Sequence, residues 1–181
     1  MEALLILLAV ALLTRRAKAS PKTGSSPGIM VTDYVLRSIQ AHSFARAVRP
    51  SLLAGIADHE SGLNPAADNP SSTAQGLFQM IRATAEAVET GSYAKIQAQD
   101  VETQCRTAAK LYAQLRAHFG TDSGAIGAWW VGQSGYERLL TGETLYYNDQ
   151  PPITFERVAE YVRDIERRAQ KFAYLDSAPI A

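Results

Sequence analysis

The sequence predicts a mainly α-helical domain, and three observations carry that prediction. Apolar residues recur three and four apart over long stretches, the spacing that lines one face of a helix. No stretch shows the sustained alternation of a half-buried strand. Glycine, proline and capping residues stand where the helical stripes stop. The elements follow in order. Thr32 can cap a helix running to about Val48. Pro50 suits the first turn of a second helix, with Leu53, Ile56, Ala57 and Glu60 at helical spacing and Gly62 as its stop. Asp100 can cap the clearest helix, whose stripe is Val101, Cys105, Ala108, Tyr112, Leu115 and Phe119, with Gly120 ending it. Asp122 can cap a shorter helix through Trp129 and Trp130. Thr154 opens the last one, with the stripe Phe155, Val158, Val162, Ile165, Ala169 and Phe172. With the intervening stretches the count comes to about six or seven helices, and no internal repeat is present.

Composition removes several functional classes. The chain has 181 residues, enough for one domain of the usual ~100–200. Apolar residues make up 46% and charged residues 20%, ordinary for a globular protein and unlike a disordered one. A single cysteine cannot form an intrachain disulfide, and with only three histidines no metal site and no cofactor are expected. Eighteen basic residues balance eighteen acidic ones, so no global charge draws the chain to nucleic acid.

The first residues differ from the rest. Residues 3–13 are continuously apolar. As a helix they would span only ~16 Å, against a bilayer core of ~30 Å, which suits the apolar region of a secretion signal. Ala17-Lys18-Ala19 before Ser20 has the small-x-small form of a cleavage site. The charges are reversed for a signal: Glu2 precedes the apolar run, and Arg15, Arg16 and Lys18 follow it. The positive-inside rule would keep that basic end in the cytoplasm. A short uncleaved anchor, or a segment that enters a membrane after delivery, is therefore an alternative, and an apolar helix packed on the domain is a third. Residues 20–28 contain four Gly or Pro and no large apolar side chain, and read as a linker. The expected organisation is a signal or anchor over 1–19, a linker over 20–28 and a folded domain over 29–181. The first 28 residues carry a net +3 and the remainder −3, so the domain is mildly acidic.

The chemistry centres on one carboxylate. Successive helical residues rotate by ~100°, which places Glu60 on the stripe of Leu53, Ile56 and Ala57 and not on the solvated face. A carboxylate there loses water, and desolvation raises its pKa, as a general acid near neutral pH requires. A buried glutamate held by a basic partner, or a frayed helix end, fits the spacing equally well. The following segment favours the acid. Glu60-Ser61, Asn64-Pro65, Gly76-Leu77-Phe78-Gln79 and Thr84-Ala85 occur in one order over 26 residues. This resembles the lytic transglycosylase family of lysozyme-like fold, the soluble-transglycosylase and goose-type lysozyme branch. That family shows Glu-Ser at a helix end, then Asn-Pro, Gly-Leu-Met-Gln and Thr-Ala. The resemblance covers about residues 31–170. It is looser further on. The family's Ala-Tyr-Asn-Ala-Gly is matched by Ala128-Trp129-Trp130-Val131-Gly132, its C-terminal Tyr-Val by Tyr161-Val162, and Arg82 replaces a usual proline.

The resemblance implies a goose-type helical domain with a cleft, acting on the glycan strands of peptidoglycan. Glu60 would protonate the glycosidic oxygen between N-acetylmuramic acid and N-acetylglucosamine. It would then take the proton of the C6 hydroxyl as that oxygen closes to a 1,6-anhydro ring. A second carboxylate is not required, unlike in ordinary glycosidases. Asp58, Asp68, Glu143 and Asp149 are the candidates for such a partner if the chain hydrolyses instead. Gln79 would bond an N-acetyl group or orient the acid, or act only as a turn amide. Phe78 would form an apolar wall. Ser61 would bond the Glu60 carboxylate or cap local backbone. Trp129 and Trp130 would stack on sugar faces, with at least one of them expected in the core. Tyr161 lies at the edge of its stripe, its hydroxyl at the cleft or the surface, and His59 reads as a flanking side chain. Two other classes remain open: a catalytically silent glycan-binding or assembly module on the same fold, and a membrane-associated scaffold in which residues 3–13 dominate. The setting is the periplasm or cell envelope, with secretion-apparatus or virion proteins as partners; the reversed charges lean toward a bacteriophage particle.

Overall fold

The computed structural model describes residues 27–147 and 151–177. The signal or anchor, most of the linker, and Asp149 lie outside the described residues. Eight α-helices and one 3-10 helix make up the described chain: α1 Pro27–Phe44, α2 Pro50–Ser61, α3 Arg82–Val88, α4 Ser92–Gln97, α5 Val101–Phe119, α6 Asp122–Val131, α7 Gln133–Leu140, α8 Phe155–Ala169, and the 3-10 helix Gln170–Asp176. Extended pairing among these residues is limited to three isolated bridges, Asp68 with Gln75, Gln75 with Met80, and Leu145 with Ile153.

Local chemistry explains most boundaries. The Asp100 carboxylate accepts from the Thr103 N–H at 2.9 Å, and Gly120 closes α5 in the left-handed region at φ 74°. Thr154 caps α8 through the Arg157 N–H. Gly62 ends α2 at φ 65°, its N–H bonded to the Asp58 carbonyl at 3.1 Å. Three boundaries differ from expectation: the start of α1, its end at Phe44 and not near Val48, and the cap of α6. The first helix starts at Pro27, within the segment read as a linker, because proline at the first helical position is already set for the turn. Thr121, not Asp122, caps α6 by accepting from the Gly124 N–H at 3.0 Å. Asp122 instead accepts from the Tyr112 hydroxyl and from Arg116. Phe155 stands half-exposed at the first position of α8, stacked on Tyr136 with ring centres 6.2 Å apart.

One core serves all the helices, with Ile39, Leu53, Ile56, Tyr112, Ile126 and Ile165 fully buried. Cys105 belongs to it, and burial pushes its thiol up to about 12. Helix α2 packs chiefly against α8 and the 3-10 helix. Gly55 permits that approach: a Cβ there would meet the Ile165 carbonyl oxygen at 2.9 Å and the Ala169 nitrogen at 3.0 Å. The close crossing brings the last turn of α2, with Asp58, His59 and Glu60, against the α8 face that carries Tyr161, Asp164 and Arg168.

Candidate active site

Glu60 sits in the last turn of α2, partly accessible to solvent and otherwise enclosed. The Tyr161 hydroxyl donates to its Oε1 at 2.8 Å. Desolvation raises the Glu60 pKa above the ordinary glutamate value; the Tyr161 bond and the nearby His59 pull the other way without reversing it. Tyr161 is itself buried, and burial together with the Glu60 charge raises its hydroxyl pKa well above the usual tyrosine value, so it remains a donor.

Most of the residues singled out by sequence are joined, through contacts and chain neighbours, into one chain that begins and ends at Glu60. Tyr161 stacks on Trp130, centres 5.1 Å apart and planes within 23°. The neighbouring Trp129 meets Phe78 edge-on at 6.0 Å. Phe78 is buried, and the next residue back, Leu77, offers its carbonyl to the Ser61 hydroxyl at 2.8 Å. Ser61 then leads to Glu60. Both tryptophans are half-buried against the core, so neither is a core residue as expected of one of them; α6 turns them toward two different neighbours, one on the Phe78 loop and one on α8.

Ser61 and Gln79 hold backbone in place. The single Ser61 hydroxyl hydrogen points to the Leu77 carbonyl at 2.8 Å, with the Ala57 carbonyl a longer alternative at 3.1 Å, and its oxygen accepts from the Asn64 N–H at 3.1 Å, which ties the loop to the helix end. The Gln79 amide donates to the Gly76 carbonyl at 3.0 Å and to Ala67 at 3.3 Å, the turn-amide geometry. Gln79 and Leu63 both have positive φ, 45° and 63°, a costly conformation for residues with side chains and one that concentrates at functional sites. Gly76 needs its lack of a side chain twice over: its φ is 72°, and a Cβ would lie 2.3 Å from Gln104 Oε1.

Two groups of residues lay beyond the sequence reading. Gln104, buried inside α5, accepts from the Leu77 N–H at 2.7 Å and donates to the Pro65 carbonyl at 3.1 Å, so one side chain clamps both ends of the loop. Behind Glu60, His59 Nδ1 lies 2.8 Å from Asp164, Arg168 bridges Asp164 and Asp58 at 2.7 Å each, and Lys171 also reaches Asp58. Gln104 lies next to Cys105 of the α5 stripe, and nothing in the spacing sets it apart. The α8 cluster becomes visible only once α2 and α8 are known to cross. The candidates for a second catalytic carboxylate have partners of their own: Asp58 has Arg168 and Lys171, Asp68 accepts from Gln75, and Glu143 pairs with Arg138 at 2.8 Å. Among the described residues no group of three or more His, Cys, Asp or Glu is placed to hold a metal ion, and no helix is long and apolar enough to cross a membrane.

A mainly helical domain with one desolvated glutamate at a helix end, bonded by a tyrosine from α8, is consistent with the lysozyme-like class, which the family match carries. The model of the transglycosylase SLT domain matches residues 37–140, more than half of the chain, and the chain belongs to that family. The matched stretch holds Glu60, the Ser61-to-Gln79 loop and both tryptophans; α8, with Tyr161, lies beyond it. No curated protein and no solved structure gives a significant match.

Proposed function

We propose that the chain is a peptidoglycan lytic transglycosylase that cleaves the β-1,4 bond between N-acetylmuramic acid and N-acetylglucosamine, leaves 1,6-anhydro ends and so opens the wall locally. The observation that carries this is the Glu60 carboxyl: raised in pKa, bonded by Tyr161 on Oε1 and set in a family that acts on this polymer. With Oε1 engaged, Oε2 presents the proton. Glu60 gives that proton to the glycosidic oxygen, and the N-acetylglucosamine side leaves as an alcohol. The charge left on the oxocarbenium-like carbon is met by the C6 oxygen of the same muramic acid, whose proton returns to Glu60. No water is consumed and the enzyme regains its starting protonation. Tyr161 steadies Glu60 while it is ionised, between the two proton transfers. Trp129, half-exposed and backed by Phe78, offers a flat face for the CH-rich side of a sugar; Trp130 stacks on Tyr161 and carries the Arg157 guanidinium 5.9 Å over its ring, so it meets sugar at its remaining exposed surface.

One-residue chemistry is favoured over hydrolysis because, among the described candidates, Asp58, Asp68 and Glu143 are each held by another side chain. The site of action is the cell envelope, reached through residues 1–19 as a signal or short anchor, or by delivery from a bacteriophage virion. Mass spectrometry of sacculi digested by the purified protein tests the reaction. Anhydro-ended muropeptides are expected; reducing ends would replace transglycosylation by hydrolysis, and undigested sacculi would leave a silent binding module.

A further inference from the structure

We propose that His59, held by Asp164, is a positioning residue that keeps the Tyr161 hydroxyl on Glu60 and thereby sets how tightly Glu60 holds its proton. This rests on the assignment of Glu60 as the acid. The buried Tyr161 ring touches two others. Trp130 stacks on one face, and the His59 imidazole meets it at 83° with centres 5.0 Å apart. Tyr161 therefore has little room to swing its hydroxyl away from Glu60 Oε1.

The imidazole is fixed in turn. Its Nδ1 lies 2.8 Å from Asp164 Oδ2, and the His59 side chain is only 10% exposed. Asp164 also accepts from Arg168 at 2.7 Å and from Arg167. Burial works against its charge, but hydrogen bonds from Arg168, Arg167 and His59 hold it well below the usual aspartate range. A carboxylate in that state has no proton to give, so His59 Nδ1 carries the hydrogen and donates. That fixes the tautomer and the ring plane, as a carboxylate does for a metal-bound or catalytic histidine. The groups around His59 are Asp58 and Glu60 on α2, Tyr161, Asp164, Arg167 and Arg168 on α8, and Lys171, which approaches from the 3-10 helix through Asp58. Both influences of His59 on Glu60 have one sign. Holding the Tyr161 bond favours the ionised carboxylate, and so does any positive charge on the imidazole. Removal of His59 therefore raises the Glu60 pKa.

The test follows the Glu60 carboxyl carbon by NMR titration in the full chain, without substrate, for wild type, His59→Ala, His59→Gln, Tyr161→Phe and the double variant His59→Ala/Tyr161→Phe. The Glu60 midpoint is expected to rise in His59→Ala. It should return most of the way in His59→Gln, whose amide can still donate to Asp164. In the double variant the rise should be less than the sum of the single ones, because the two residues act through one hydrogen bond. On sacculi, the alkaline limb of kcat should follow the midpoint, with KM unchanged within about twofold and kcat lowered about tenfold, less than the ~10²–10⁴-fold that the proton-transferring group itself contributes, because Glu60 remains in place. A lowered melting temperature with an unmoved midpoint would reduce His59 to a packing residue and overturn the proposal. Fully additive shifts would overturn it too, since His59 would then act without Tyr161. The titration needs no activity, so inactive wild-type protein would refute the enzymatic assignment alone.

Discussion

At the scale of single residues, the site depends on the balance between dehydration of Glu60 and its hydrogen bond to Tyr161. Because the folded pKa of Glu60 is raised, folding favours its protonated form. Its contribution to stability is full below the unfolded value of ~4.3 and is lost as pH rises through the folded pKa. Glu60→Gln, which keeps an acceptor for Tyr161 and carries no charge, should therefore melt higher than wild type near pH 7. The difference should close toward about pH 4, and calorimetry across that range checks both statements. Tyr161→Phe removes a bond that lowers the Glu60 pKa, so the alkaline limb of the rate profile should move to higher pH. A fall in kcat should accompany it, since the ionised intermediate loses its donor.

At the scale of elements, two close approaches hold the site together. Gly55 lets α2 and α8 meet, so Gly55→Ala should force the crossing apart and separate Glu60 from Tyr161. The expected result is a lower melting temperature together with loss of the raised Glu60 midpoint, because water admitted by the opened crossing removes the desolvation that outweighs the Tyr161 bond. The loop from Pro65 to Gln79 hangs on Gln104. Gln104→Ala strands the buried Leu77 N–H, at a cost of about 1–3 kcal/mol, and frees the part-buried Pro65 carbonyl, at a smaller cost. Denaturant unfolding should show that loss, and sacculus digestion should weaken with it because Phe78 and Ser61 lose their frame. Legibility from sequence also divides at this scale. Helices α2, α5 and α8 repeat an apolar stripe over several turns and carry recognisable stops, so they could be read directly. Helices α3, α4 and α7 have seven, six and eight residues, too few for a stripe to repeat, and they were not individually legible. Within the site, Glu60 stood out because a charge interrupts an apolar stripe. Gln104 did not, since its partners are backbone groups about 27 and 39 positions away in the chain. The roles of Ser61 and Gln79 depend on backbone geometry, which residue spacing does not encode.

At the scale of the molecule, the described chain is one helical body whose charges work mostly in pairs. Asp164, Glu89 and Glu102 all have folded pKa values below their ordinary ones. Their contribution is present above the unfolded carboxylate range near ~4 and is lost as pH falls through the folded values. Acid unfolding should therefore set in below about pH 4, and Asp164→Asn should blunt the pH dependence there, as thermal melts against pH would show. Cys105 should resist thiol reagents in the native protein and react on unfolding, since its thiol is buried and raised to about 12. The domain's net −3 and the aromatic side chains beside Glu60 suit an uncharged sugar backbone better than a polyanion. The decisive comparison sets wild type beside Glu60→Gln on the same purified sacculi, counting anhydro-muramic termini by mass spectrometry. Wild type should release them steadily and the variant at least about a hundredfold more slowly, with its fold intact. Termini released by the variant at the wild-type rate would show that this glutamate is not the group that moves the proton.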